Sequence, residues 1–547
     1  MARGNSGRDS TGRGMSWRKA AAAALLVAGA AGVAPLAVAA TDVRLPTVDA
    51  IRAEALRPGN DPIGKPLPLA ARWTLNLSPN GQWMYPNIVY HPNRQLDLIE
   101  AGHHILPQFP TGHWPYAEDF DFTAMKRAAK LNLPFTMVFY QPEWNLYRDS
   151  RFFTLPAGQN PNVVEPGGKV RPQISPFGPV APWQQVGYAE THTQRIAKLQ
   201  QLYPNPPLIQ WLSNNEPDRL FLSDADQDVR FKNHCPGTCT MAERKAIAAR
   251  EYKTRYRAMQ QGMRDGLDNS AWKGKSIFVG YDAFHWMGVF SYAGEYGISS
   301  EHERSQFWDG ASPSYYVPDY FQGITDKTVV SPLVGSMSWQ MFVDEAIAQR
   351  PNFWWEISTW DGGPAVRKRY LAAGESYPVA RYQGLIEFGM WVTRPRVVRE
   401  FQFEEPDLAV ADARYMAIVA AVDRVHKNGV LRRFWRQGKL VRHPTQKHPW
   451  RIGVPAAYQF KARWFMLDAS TNPPYPWVDQ EIPVFATALV RGVAPTREWL
   501  VLAHSPVRNY SRVQVKVPGY GSITVDTKPS VGFWLVSEAA KTVTAVK

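Results

Sequence analysis

The sequence predicts an α/β fold, a (β/α)8 TIM barrel followed by a small antiparallel β domain, on three observations. Short apolar runs of strand length alternate with segments of helical spacing from about residue 65 to 430. One of those runs, Phe135 to Tyr140, is apolar almost throughout, the mark of a parallel strand covered on both faces. From about residue 481 the helical spacing gives way to short β-rich runs separated by Gly and Pro. A chain of 547 residues has room for a large barrel and an accessory module.

The first forty residues read as a secretory signal peptide. Arg3, Arg8, Arg13, Arg18 and Lys19 precede the apolar stretch Ala20 to Ala34, and Ala37 to Ala40 offers an Ala-x-Ala cleavage site. The stretch is short for a membrane span, so the expected product is exported, secreted or periplasmic, and without a span after cleavage; retention as an anchor is the alternative. Residues 41–64 form a polar, proline-bearing lead-in.

Within the barrel, Ala71 to Leu77 reads as the first strand and His103 to Phe109 as the second, with a helix over Asp121 to Asn132 capped by Asp121. Phe135 to Tyr140 is the third strand. Arg148 to Trp183 has no clear period and reads as a long loop beside the cleft. A helix from about Tyr188 to Tyr203 leads to a strand ending at Glu216, and a helix over Met241 to Leu267 leads to the strand Ser276 to Tyr281. Ser312 to Tyr316 is a short strand, Asp344 to Gln349 a helix, Phe353 to Glu356 the seventh strand, Tyr377 to Phe388 a helix, Gly389 to Pro395 the eighth strand and Asp412 to His426 the closing helix. Residues 431–480 connect to a β-sandwich-like domain over 481–547, with strands at Ile482 to Val490, Glu498 to Ala503, Arg512 to Val517, Ser522 to Asp526 and Gly532 to Val536.

Composition narrows the function classes. The net charge is +14, and subtracting the +4 of the first forty residues leaves +10, spread along the chain with no basic block of nucleic-acid type. Aromatic residues are abundant, with 21 Trp, 23 Tyr and 25 Phe, which suits either sugar stacking or core filling. The two cysteines, Cys235 and Cys239, lie in one short loop, and in an exported protein a local disulfide is the expected pairing. A zinc site lacks a second ligand pair at metal spacing, with only His234 nearby, and no cofactor or metal is called for.

Two acidic stretches carry the chemistry. Pro207 to Pro217 and Pro351 to Trp360 each run from a brief aromatic-rich strand to a glutamate, Glu216 and Glu356, 140 residues apart. A barrel presents catalytic groups where its strands end, and two carboxyls facing one bond can hydrolyse a glycoside. Each also has a structural reading, Glu216 as a loop carboxylate and Glu356 as a salt-bridged glutamate, with Glu303 and Glu345 as substitutes for the latter.

Asn215-Glu216-Pro217 resembles the end of the fourth barrel strand in clan A of the glycoside hydrolases, and Phe353-Trp354-Trp355-Glu356 is similar to that clan's seventh strand. The resemblance implies a retaining double displacement with Glu216 as acid/base and Glu356 as nucleophile. It also implies a strand-six tyrosine, Tyr315 or Tyr316, on the nucleophile. The chain departs from the clan at strand two, where His103 and His104 stand in place of the usual arginine.

Asn215 is then a ligand for the sugar 2-hydroxyl. Trp144, Trp286, Trp355 and Trp360 are stacking candidates, Glu143 and Asp282 hydroxyl ligands, and His103, His104, His113 and His285 groups that could line the cleft. The expected partner is a β-linked poly- or oligosaccharide, with no nucleic acid. The competing function is a non-catalytic carbohydrate-binding protein on the same scaffold, and an inverting hydrolase would need its carboxyls about 6.5 to 9.5 Å apart. A serine esterase is disfavoured, since no Gly-x-Ser-x-Gly elbow is present.

Overall fold

The computed structural model describes residues 45–73, 92–110, 118–139, 142–213, 219–280, 304–316, 343, 346–348, 350–360, 379–400, 408–441, 484–505 and 509–547. All of them belong to one compact unit, residues 44–547. The signal segment lies outside the described residues.

The strands in chain order are β1 (Leu69–Arg72), β2 (Gln108–Pro110), β3 (Phe135–Phe139), β4 (Asn162–Val164), β5 (Val170–Ile174), β6 (Ile209–Ser213), β7 (Ser276–Gly280), β8 (Gly310–Ala311), β9 (Ser314–Tyr316), β10 (Trp354–Trp360) and β11 (Val397–Glu400). Nine of these, all but β4 and β5, form one parallel sheet in the order β1, β11, β10, β8, β7, β6, β3, β2, with β9 also on β10. The isolated bridge between Ala70 and Ile105 brings β1 back to the chain entering β2, through Ala70 N–H to the His104 carbonyl at 2.9 Å and Leu106 N–H to the Ala70 carbonyl at 2.8 Å. The result is a nearly closed eight-stranded barrel whose sixth strand is split into β8 and β9. Pro313 has no N–H to give, and the ladder breaks around it before resuming at Ser314.

Helices cover the barrel because the outward faces of its strands are largely apolar. The helix Met241–Asp265 starts at a capping box, Thr240 accepting from the Glu243 N–H and the Glu243 carboxylate accepting from the Thr240 N–H. It packs backbone to backbone against Ala181–Thr191, through Gly187 and Gly262. A Cβ on Gly187 would sit 2.0 Å from the Met259 carbonyl oxygen, and one on Gly262 would sit 2.0 Å from that of Gln184, so only glycine allows this approach. The single helix expected over Tyr188 to Tyr203 is two helices, Ala181–Thr191 and Gln194–Leu202; the second begins afresh where Thr193 accepts from the Ile196 N–H.

Several other expectations are corrected. Asp121 lies inside the helix Glu118–Lys130 rather than at its cap. The loop expected over Arg148 to Trp183 instead holds two 3-10 turns and the antiparallel β4–β5 hairpin, whose turn uses Gly167 and Gly168 at φ +104° and +85°. Gly389 to Thr393 belongs to the helix Val379–Thr393, and the eighth strand is Val397–Glu400. The lead-in contains a helix, Pro46–Leu56, beginning on a proline.

The C-terminal domain is a five-stranded antiparallel sheet in the order β12 (Lys439–Leu440), β13 (Phe485–Arg491), β14 (Glu498–His504), β17 (Gly532–Ser537), β18 (Thr542–Val546), with a separate hairpin of β15 (Val513–Val517) and β16 (Gly521–Val525). One face of the sheet joins Val515, Val517, Ile523 and Val525 of the hairpin in a second core with Trp499, Val501 and Val536. On the barrel side, Arg424 of the helix Leu408–Lys427 lies 4.5 Å over the Phe533 ring and donates to the Val531 carbonyl at 3.1 Å. Among the described residues no helix is long and apolar enough to cross a membrane.

Candidate active site

Strand alternation decides which side chains face the barrel interior. On β6, the fourth barrel strand, Trp211 faces outward and meets the Trp272 ring at 6.5 Å, which leaves Gln210 pointing inward. On β10, the seventh strand, Glu356 points inward and Trp355 lies on the helix-facing side, buried. On β11, Arg399 points inward, while Glu400 points out toward Arg72 at 3.3 Å.

These inward residues form one polar layer. The Arg399 guanidinium forks onto Glu356, Nε donating to Oε1 at 3.0 Å and Nη2 to Oε2 at 3.4 Å. Glu356 Oε2 also accepts from Gln210 Nε2 at 2.6 Å and from Trp354 Nε1 at 2.9 Å. All four contacts come from N–H groups, so both oxygens act as acceptors. Arg399 further donates to Gln108 Oε1, to Thr136 Oγ1 at 3.3 Å and to Gln210 Oε1 at 3.2 Å. Gln108 is in turn held by Gln95, whose Oε1 accepts from its N–H at 3.0 Å. Five barrel strands therefore contribute to one buried network around one ion pair. Alongside it, Trp73 donates from Nε1 to Ser358 Oγ at 2.7 Å.

Glu356 is fully buried and is the third residue of a seven-residue strand, which continues to Trp360. The expectation that it ends its strand is thus corrected. Tyr315 and Tyr316 lie on β9, paired with Thr359 and Trp360, three and four residues beyond the level of Glu356 along the strand. The side chains of Tyr315, Tyr316 and Trp360 lie outside the described part, as does that of Trp144. Glu143 is buried in the short helix Pro142–Arg148 that follows β3. Asn215 and Glu216 follow the end of β6 by two and three residues and, with Glu303, Glu345, His113, Asp282, His285 and Trp286, lie outside the described residues. Trp355, proposed above as a stacking platform, occupies a packing position on the outer face of the strand.

His103 and His104 do not line the cleft. They enter at the N-terminal end of strand two, opposite the end where strands four and seven finish. There Asp423 of the helix Leu408–Lys427 accepts from both, His103 Nδ1 at 2.7 Å and His104 Nδ1 at 2.8 Å. His104 stacks on His426 with centroids 3.6 Å apart, and His426 Nε2 donates to the Pro68 carbonyl at 2.8 Å. Burial raises the Asp423 carboxyl, but hydrogen bonds from His104, Lys427 and His103 more than offset it and hold it well below the usual carboxylate range. Burial, helped by the charge of His104, pushes His426 down to about 3. The arginine that meets Glu356 comes from strand eight, not from strand two.

Sequence reading missed Arg399, Gln210, Thr136 and Gln108. Each is a polar residue within an otherwise apolar strand, as in Phe135-Thr136-Met137 and Ile209-Gln210-Trp211. In a buried parallel strand that interruption signals an interior network, since a buried polar group needs a partner. Cys235 and Cys239 are joined in a disulfide, with Cα atoms 6.3 Å apart. No group of three or more metal-type ligands is found among the described residues.

No family model and no curated protein matches the chain. Among solved structures it is similar to an agarase, AgWH50C, at 11% identity with a TM-score of 0.32, over 58% of this chain and 48% of that one. The chain thus spans about half of the agarase's length.

Proposed function

We propose that the chain is an exported glycoside hydrolase that cleaves a β-linked poly- or oligosaccharide by a retaining double displacement, with Glu216 as acid/base and Glu356 as nucleophile. The observation that carries the reading is the Glu356 carboxylate, which pairs with Arg399 and sits on the seventh strand of a barrel whose fourth strand ends at Ser213, just before Asn215-Glu216-Pro217 in the sequence. Glu216 protonates the leaving oxygen while Glu356 bonds to the anomeric carbon. Glu216 then takes a proton from water as the water oxygen bonds to the anomeric carbon and the bond from that carbon to Glu356 breaks, so the sugar leaves with its configuration kept. Asn215 meets the 2-hydroxyl, a contact that strengthens as charge develops.

A specific observation favours a second role for Glu356. It is buried, four residues short of the strand's end, with both oxygens engaged, which suits an interior anchor in a barrel whose nucleophile is another carboxylate. The test is reducing-sugar release from a panel of neutral and acidic polysaccharides and aryl glycosides, with the unsubstituted protein, Glu216→Gln and Glu356→Ala in parallel. Release by the unsubstituted protein alone supports the proposal. Release by a folded Glu356→Ala variant assigns it the anchor role, and glycan binding without release from any protein favours the binding-protein reading.

A further inference from the structure

A layer of Gln108, Thr136, Gln210, Glu356 and Arg399 is a costly filling for a barrel, whose interior layers are usually branched aliphatic side chains. Burying an ion pair rarely gains stability over an apolar filling of the same shape, so fold stability alone does not account for this one.

The hydrogen bonds within the layer are asymmetric. Among the described residues, Glu356 Oε2 accepts from Gln210, Trp354 and Arg399, whereas Oε1 accepts only from Arg399 Nε. A carboxylate oxygen offers about two lone-pair sites, so Oε2 is saturated and Oε1 keeps one free. The Gln210 amide cannot be turned around without loss. Its Oε1 accepts from Thr136 Oγ1 at 2.7 Å and from Arg399 Nη2, which leaves Nε2 as the end that faces Glu356.

We infer that Gln210 is a positioning residue for the reaction proposed above, pinning Oε2 so that Oε1 of Glu356 is the attacking oxygen. Gln210 lies on the same strand that leads to Glu216, so its bond to Glu356 ties the two carboxyl-bearing strands directly to each other across the barrel. In the step itself the Oε1 to anomeric carbon bond forms, the bond from that carbon to the leaving oxygen breaks, and Glu216 supplies the proton to that oxygen. Thr136 serves one stage further back by holding the amide in its working orientation. The inference rests on Glu356 being the nucleophile.

The experiment is trapping with 2-deoxy-2-fluoro-β-glucosyl and β-galactosyl fluorides, followed by peptide mass spectrometry. The position of the label tests the underlying reading, and the rate of labelling tests the inference. In the unsubstituted protein the label is expected on Glu356. In Gln210→Met it is expected on the same residue about 10- to 100-fold more slowly, the size of effect that follows from misplacing a reacting group by an ångström or less. The half-saturating trap concentration should stay within about twofold, because the change removes orientation and not a sugar contact. Thr136→Val keeps the side-chain shape and should slow labelling by a smaller factor, which keeps the test open if Gln210→Met does not fold. Label on Glu356 at an unchanged rate in the folded variants overturns the inference alone, as does slowing that is entirely a weaker binding of the trap. Label on another residue, or none on the unsubstituted protein, overturns the reading beneath it.

Discussion

The Arg399 guanidinium spans both carboxylate oxygens of Glu356, at 3.0 and 3.4 Å, with neither side chain reaching solvent. Removing one partner strands the other charge in the interior. Arg399→Met is therefore expected to cost about 3 to 5 kcal/mol, while the double variant Glu356→Gln/Arg399→Met recovers a large part of that loss. Urea unfolding of the two single variants and the double measures this. Equal stability of Arg399→Met and the unsubstituted protein would show that the pair is not the buried contact described.

The acid/base role proposed for Glu216 has a leaving-group signature. Glu216→Gln should lose most of its rate on substrates with poor leaving groups and keep more on activated aryl glycosides, because only the former need the proton. Steady-state rates across an aryl glycoside series provide the check, and equal losses throughout count against the role.

His426 links stability to acid. Its folded value, about 3, lies below the ordinary histidine range, so its contribution is complete above about pH 6.5 and is lost as pH falls toward 3. Among the described residues the groups facing it are His104, Asp423, Glu54 and the Pro68 carbonyl, and of these only the last is a hydrogen-bond partner of its ring. Between pH 6 and pH 4 the loss should be about 2 kcal/mol. His426→Gln keeps an N–H for the Pro68 carbonyl and does not titrate, so its stability should be flatter across that interval. Denaturant midpoints at the two pH values decide, and an unaltered slope in the variant would exclude His426 as the source.

Glu387 slopes the other way. Burial pushes it up to about 7 against the opposing pull of Arg424 at 3.3 Å. A raised carboxyl contributes fully below its ordinary value near 4.5 and loses that contribution as pH rises through 7. Glu387→Gln is expected to stabilise the protein by up to about 3 kcal/mol at pH 8 relative to its effect at pH 4. The same change at both pH values would mean that folding leaves the Glu387 carboxyl at its ordinary value.

Elements whose local chemistry matches their environment were legible in the sequence. Phe135–Phe139 is apolar but for Thr136 because helices cover it on one side and the barrel interior fills the other, and the helix at Met241 shows in its alternating basic and apolar positions. The eighth strand was misplaced for a physical reason. The helix Val379–Thr393 is buried on nearly every side from Gly384 on, so Gly389-Met-Trp-Val-Thr reads as a buried strand. The actual strand, Val397-Val-Arg-Glu400, carries two charges whose partners, Glu356 and Arg72, lie far off in sequence. His103 and His104 were set at the wrong end of strand two because its pairing through Ile105 to Ala70 is not readable from one strand alone. Glu356 was visible as a glutamate after an aromatic run, but its depth in the barrel follows from a register that carries the strand on to Trp360.

The proposed mechanism retains configuration at the anomeric centre through Glu356. Proton NMR of the first-formed product, taken within the first minutes on whichever glycan of the panel is cleaved, is the measurement that decides. The product is expected to appear with the configuration of the bond that was cut, and Glu356→Ala to yield the inverted glycosyl azide when azide is added. A first product of inverted configuration from the unsubstituted protein would contradict it.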